Sequence, residues 1–271
     1  MTSDKSAKEL AYLHDLYVAT DWSVRFAELV DKNIKLPSDG QFLYVEAGTG
    51  NHVIELREKL GEKVAVFATV SDEERLNIAK AKSAAVNAAI HFQNSFPHRL
   101  NFPDAAFEKV ICDASFLQTE RLLAVWKELY RVLDNKGNIA FLVPTAGSFG
   151  EFFSIYWEAL HRLGMDELGA EIENLIKNLP TVSDVEDVTK NAGFGKIESS
   201  TSNELFEFET GDDFLRSPLI SDFLFPTWAG FVPDEKQVEI LRSIEKIIDE
   251  SSDGLSFGLS VKMTLVTAAK S

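Results

Sequence analysis

Between Gln41 and about Val143, short apolar runs alternate with amphipathic stretches. The runs are Phe42–Val45, Val64–Ala68, Ala89–Phe92, Lys109–Cys112 and Ile139–Val143. Each is short and almost continuously hydrophobic, the pattern of a strand covered on both faces in a parallel sheet. The intervening segments His52–Leu60, Asp72–Ala88 and Phe116–Leu133 predict helices. Ser71–Glu74 reads as a capping box opening the second, and Asp134–Gly137 as the stop after the third. Strand and helix in strict alternation predict parallel strands joined by right-handed crossovers, an α/β fold with a doubly wound, mostly parallel sheet.

The flanks extend this core. Lys8–Asn33 carries apolar residues at helical spacing. Helices are expected near Phe149–Arg162, Asp166–Asn178 and Asp184–Asn191, separated by Gly164 and Pro180. A strand over about Lys196–Glu209 follows the Ala192–Gly195 turn, and Gly211–Pro233 reads as a loop rich in aromatic residues. Asp234–Glu250 is amphipathic, and Ser256–Ala268 alternates as a half-buried, antiparallel last strand. No low-complexity linker interrupts the chain. It is therefore read as one domain over 1–271: an N-terminal helical cap (1–40), a core (41–145), and the later helices, last strands and aromatic loop (146–271).

Charge narrows the partners. Against 27 Lys and Arg stand 43 Asp and Glu, a net charge of −16. Such a surface repels nucleic-acid backbones and anionic membranes at long range. Between Glu198 and Asp253 acids far outnumber bases, which reads as a solvated face. The single cysteine, Cys112, excludes an internal disulfide, and the five histidines show no metal-ligand spacing, so no metal is expected. Neither a secretory leader nor a membrane-spanning run is evident, so the expected location is cytoplasmic.

The chemistry concentrates at Glu46–His52, just past the first strand. Ligands of open α/β sheets bind outside the carboxyl ends of the strands, and glycines there let backbone approach them closely. No Lys-Ser/Thr pair follows Gly50, which excludes a Walker A loop. A dinucleotide fingerprint would need glycine where Val53 stands, and would bring a pyrophosphate toward the Glu46 carboxylate. A cationic ligand suits that acid better.

Glu46-x-Gly48-x-Gly50 resembles motif I, acid-x-Gly-x-Gly-x-Gly, of class I S-adenosylmethionine-dependent methyltransferases. Leu100–Val110 is similar to that family's LPFPD-x-x-F-D-x-V stretch, and Leu129–Asn138 to its R-V-L-x-P-G-G turn. Order and spacing agree from Gln41 to Val143, and the overall likeness is of the UbiE/BioC-like kind with a degenerate motif I. Val143–Phe152, with Trp157, is also similar to the malonyl-acyl-carrier methyltransferases of biotin synthesis. The resemblance implies S-adenosylmethionine as cofactor, held by Glu46, Ala47, Gly48, Thr49, Gly50, Thr69, Val70, Asn94, Ser95, Phe96, Asp113, Ala114 and Ser115. It implies methyl transfer to a small molecule by in-line displacement. The alternative is a methyltransferase-like binding or regulatory protein without turnover.

The pattern departs from the family at three places. His52 replaces the third glycine of motif I. Thr69 stands where an acid usually holds the ribose hydroxyls, and Gln93–Phe96 offers no acid beside the adenine. A side chain added at Gly50 is accordingly expected to fill the ligand site, and an acid at Thr69 to restore a ribose contact. Candidate bases are Asp113, His14, Tyr17, Tyr156 and His161, and candidate lids are the N-terminal helix and the loop Ser217–Phe231. Phe214, Phe223, Phe225 and Trp228 are expected to pack together rather than to cage a substrate.

Overall fold

A computed structural model describes residues 5–251 and 255–270. In chain order the elements are α1 (Ala7–Leu13), a π-helix (His14–Trp22), α2 (Ser23–Asn33), β1 (Gly40–Val45), α3 (Asn51–Lys59), β2 (Val64–Val70), α4 (Glu73–Ala85), β3 (Ile90–Asn94) and β4 (Phe107–Asp113). Then come α5 (Leu122–Val132), β5 (Leu133–Pro144), α6 (Gly150–Arg162), α7 (Gly169–Asn178), α8 (Val182–Asn191), β6 (Phe194–Phe208), α9 (Gly211–Arg216), α10 (Phe225–Trp228), α11 (Asp234–Ser251) and β7 (Phe257–Lys270).

The strands form one sheet in the order β3-β2-β1-β4-β5-β7-β6. β1 pairs in parallel with β2 and β4, β2 with β3, and β4 with β5. β7 runs antiparallel to β5. The doubly wound sheet with an antiparallel C-terminal strand is as the sequence pattern predicts. The order reverses beside β1, so crossovers leave β1 and β4 in opposite directions and open a crevice at their carboxyl ends.

The chain divides into two compact units. The larger comprises Ala7–Pro144, Pro180–Ser202 and the end of the chain from Met263. Its core on one sheet face joins Leu43, Val45, Val110, Cys112 and Phe141 to Val125, Trp126 and Leu129 of α5. Trp126 lies 4.5 Å from Phe141, ring centre to ring centre. Arg131 locks α5 to the loop before β4. It donates to the Leu100 and Phe102 carbonyls (3.0 and 2.8 Å), to Asp104 (2.7 Å) and to both oxygens of Glu128 (2.9 and 2.7 Å). Glu128 in turn accepts the Leu100 N–H (2.6 Å). Those contacts give the two motif stretches beyond the glycine loop a structural cause: one guanidinium ties them together.

The smaller unit contains Thr145–Leu179 and the described residues of Asn203–Lys262. Its centre is aromatic: Phe152 stacks on Trp228 at 4.5 Å, and Phe214 and Phe225 pack beside Phe152. Those rings are buried, in keeping with packing rather than a substrate cage.

Four local expectations change. Lys8–Asn33 is broken by the π-helical turn at His14–Trp22. The helix after β4 begins at Leu122 behind a 3₁₀ turn, not at Phe116. Gly211–Pro233 is largely helical, opened by Thr210, whose hydroxyl caps the Asp213 N–H. Pro226 sits in the first turn of α10, where its missing N–H costs nothing. Asp72, rather than Ser71, caps α4 by accepting the Arg75 N–H at 2.8 Å.

Candidate functional site

β1 delivers the chain to a turn in which Glu46, Gly48 and Gly50 all have positive φ, +58°, +56° and +89°. The Gly50 N–H closes the turn on the Ala47 carbonyl at 2.9 Å, and Ile54 N–H then starts α3 on the Gly50 carbonyl. A glutamate in left-handed backbone costs on the order of 1–2 kcal/mol, so the fold holds Glu46 there against strain. Its carboxyl is buried, which raises its pKa; the Ser71 N–H and the Arg75 charge oppose that rise. Glu46 Oε1 has no hydrogen-bond partner among the described residues.

Glu46, Ala47, Gly48 and Thr49 wall a cavity of about 110 Å³, closed on other sides by Asp113, Tyr44 and Leu142 from the sheet and by Ser71 and Arg75 from the β2–α4 turn. Asp113 is half-buried, and burial raises its pKa against hydrogen bonding from Ser115. Two carboxyls in one recess favour a cationic guest, which restores the charge balance that burial removes.

The N-terminal segment forms the remaining wall through His14, Ala19, Ser23, Ala27 and Val30. The His14 ring lies so close to the loop that a Cβ on Gly48 would come within 2.9 Å of His14 Cε1. Burial, with Arg75 and Lys82 nearby, lowers the His14 pKa to about 3. Lys82 pairs with Asp15 at 2.6 Å and also with the Asn51 side-chain carbonyl, clipping the π-helix to the start of α3. A polar chain enters the cavity from the side: Tyr44 Oη lies 3.0 Å from His52 Nδ1, and His52 Nε2 lies 3.2 Å from Asp31 Oδ1.

Of the residues expected at the cofactor, Glu46, Ala47, Gly48, Thr49 and Asp113 line the cavity. The others lie outside its lining. A Cβ on Gly50 would point at Ala79 of α4, 3.1 Å from its Cβ. Thr69 and Val70 are fully buried in the sheet. Asn94 is spent on the Val70 and Ser71 carbonyls (3.0 and 3.1 Å), and Ser95 on the Arg99 carbonyl. Phe96 is half exposed, Ala114 is buried, and the Ser115 N–H serves Asp113. Among the candidate bases, Asp113 and His14 reach the cavity. Tyr17 is exposed, Tyr156 packs among the aromatics of the smaller unit, and His161 pairs with Asp166 at 2.7 Å on the surface.

Sequence reasoning missed Tyr44, Ser71 and Arg75. The signal for Tyr44 was its place two residues before Glu46 on a strand, hence on the same side. Arg75 gave none, because a first-turn arginine normally points to solvent.

Residues 42–137 match a family model described as "Methyltransferase domain". A demethylmenaquinone methyltransferase of Deinococcus radiodurans is 31% identical over 131 residues, 47% of this chain and 54% of that protein. The chain thus matches about half the length of that relative. The fold is similar to that of the YcgJ protein from Bacillus subtilis, with a TM-score of 0.59, 14% identity and coverage of 91% of this chain and 98% of the other. It is also similar to Haemonchus contortus phosphoethanolamine N-methyltransferase 2, solved in complex with S-adenosyl-L-methionine, with a TM-score of 0.54, 13% identity and coverage of 91% and 52%. The matched segment runs from β1 to the start of β5 and contains the glycine turn, the arginine lock and the switch point between them. Through that core the chain is similar to methyltransferase domains.

Proposed function

We propose that the protein binds S-adenosylmethionine in the cavity at Glu46–Thr49 and methylates a small molecule. The observation that carries the reading is the pairing of a left-handed glycine turn with two buried carboxyls, Glu46 and Asp113, at the switch point of the sheet. The unpartnered Glu46 Oε1 suits the ammonium of such a cofactor, and Arg75 suits its carboxylate. Ser71 and Arg75 take the place at the end of β2 where the family usually has its ribose acid. When bound, the cofactor supplies an electrophilic sulfonium methyl. The chain's own residues orient it and exclude water, so positioning is the main catalytic device. The Deinococcus relative's name supports an acceptor of the quinol class.

Isothermal titration with S-adenosylhomocysteine, with NAD as control, tests the cofactor. Micromolar binding of the former and none of the latter is expected. Tritium transfer from labelled S-adenosylmethionine to reduced demethylmenaquinone tests the acceptor class. Absence of S-adenosylhomocysteine binding would overturn the reading.

A further inference from the structure

We propose that Tyr44, His52 and Asp31 form a proton exit from the cavity, in which Tyr44 Oη takes the proton of the methyl acceptor and His52 passes the charge toward solvent. The inference rests on the methyl-transfer reading and adds to it a route for the proton that methylation of an O–H, N–H or enolic acceptor must release.

Three observations carry it. The groups are contiguous: Tyr44 Oη to His52 Nδ1 is 3.0 Å, and His52 Nε2 to Asp31 Oδ1 is 3.2 Å. The chain spans inside to outside. Tyr44 is buried and lines the main cavity. His52 lines both that cavity and a surface pocket of about 190 Å³, where Asp31, Glu28 and Glu55 also stand. Asp31 is a third exposed and ion-paired with Lys59. The direction is also fixed. The hydrogen bond from His52 holds the Asp31 pKa down at about 2, with Lys59 adding to the effect, so Asp31 stays an acceptor. Neutral His52 therefore carries its proton on Nε2, and Nδ1 accepts the Tyr44 hydroxyl. Tyr44 Oη is left with lone pairs for a proton arriving from the cavity.

The step balances. The acceptor's electron pair forms the new bond to the methyl carbon, and the sulfur keeps the pair of the breaking S–C bond. The acceptor's proton moves to Tyr44 Oη as the Tyr44 proton moves to His52 Nδ1. His52, now cationic against Asp31, releases its Nε2 proton to solvent, and exchange of the remaining Nδ1 proton for one at Nε2 restores the resting tautomer. Burial above all, and then the charges of Asp113 on β4, Asp31 on α2 and Glu55 on α3, disfavour a lasting tyrosinate, so Tyr44 must relay the proton rather than store its loss. Cys112 acts in the same sense when ionised, and the Lys59 cation stands at the outer end. The two other candidate bases at the cavity lack these properties. His14 sits beside Arg75 and Lys82, which oppose a further positive charge. Asp113 is half-buried and accepts the Ser115 N–H.

The test has two parts. Nitrogen-15 correlation spectra of the wild type, with His52 signals assigned by their loss in His52→Gln, should show the Nε2–H tautomer. With reduced demethylmenaquinone as acceptor, Tyr44→Phe and His52→Gln should lower kcat by about 10²–10⁴ and abolish its rise with pH. Asp31→Asn should lower kcat less and displace the pH profile, because Tyr44 still reaches His52. Each variant is assayed at saturating S-adenosylmethionine, so that a change in cofactor affinity does not enter kcat. An Nδ1–H His52, donating to Tyr44, overturns the relay even in a variant series that folds poorly. So does a Tyr44→Phe enzyme that keeps the wild-type pH profile. Failure of the wild type to bind S-adenosylhomocysteine instead overturns the methyl-transfer reading, with the tautomer result standing apart.

Discussion

Acidification from pH 7 to pH 5 should loosen the N-terminal wall of the cavity, and His14 supplies the reason. In the unfolded chain its pKa is the ordinary 6.5; in the fold it is about 3. The folded value is depressed, so between those limits the unfolded chain binds a proton that the folded one refuses, and stability falls as pH falls through 6.5. At pH 5 the loss amounts to about 2 kcal/mol, against almost nothing at pH 7. Glu46 and Asp113 act oppositely: their raised pKa values let the folded state take protons first, which adds stability on acidification. Asp31, held at about 2, contributes stability that is lost only below its unfolded value of 3.8. These terms are common to the wild type and His14→Gln and cancel in their difference. Urea midpoints at the two pH values should therefore show His14→Gln resisting the drop to pH 5 by about 2 kcal/mol relative to wild type. Equal pH dependence in both proteins would refute the argument.

Gly50→Leu, expected from sequence to block only the ligand, should instead unfold the protein more easily. Left-handed strain and overpacking against Ala79 together cost about 2–5 kcal/mol, read as a lower urea midpoint; a midpoint equal to wild type would contradict this. Thr69→Asp should not tighten S-adenosylhomocysteine binding, because Thr69 is fully buried outside the cavity and a carboxylate there costs several kcal/mol. A stable variant with tighter binding by calorimetry would restore the sequence expectation. Arg131→Lys should lower stability by about 2–3 kcal/mol in thermal or urea melts, since an ammonium cannot bridge Glu128 and the carbonyls of Leu100 and Phe102 together. An unchanged melt would show that water substitutes for the fork.

The parallel core was legible because its signals are local and repeated: apolar runs of strand length, helix periodicity between them, and a glycine turn that only left-handed backbone explains. The same signals placed Glu46–Thr49 and Asp113 at the carboxyl ends of the strands. What failed depends on direction rather than position. Thr69 occupies the right place in the chain, yet the sheet turns its side chain into the interior, and the edge it vacates is filled by Ser71 and Arg75. Gly50 lies in the turn but faces α4. His52 read as an isolated histidine, because Asp31, 21 residues earlier, meets it only through packing. Gly211–Pro233 read as a loop, although a proline such as Pro226 is harmless at a helix start.

The position of β7 has a consequence for synthesis. This strand pairs with β5 although more than a hundred residues separate the two in the chain. Ribosomes add about 5–20 residues per second, so β5 waits roughly 5–20 s for the neighbour that covers its free edge. The parallel core, whose contacts are complete by Pro144, can assemble within that interval. For several seconds each nascent chain therefore presents an uncovered edge along Asn138–Pro144, most of it apolar, to every other chain on the same messenger. That interval makes crowded polysomes, rather than the finished protein, the place where aggregation through strand pairing is to be expected.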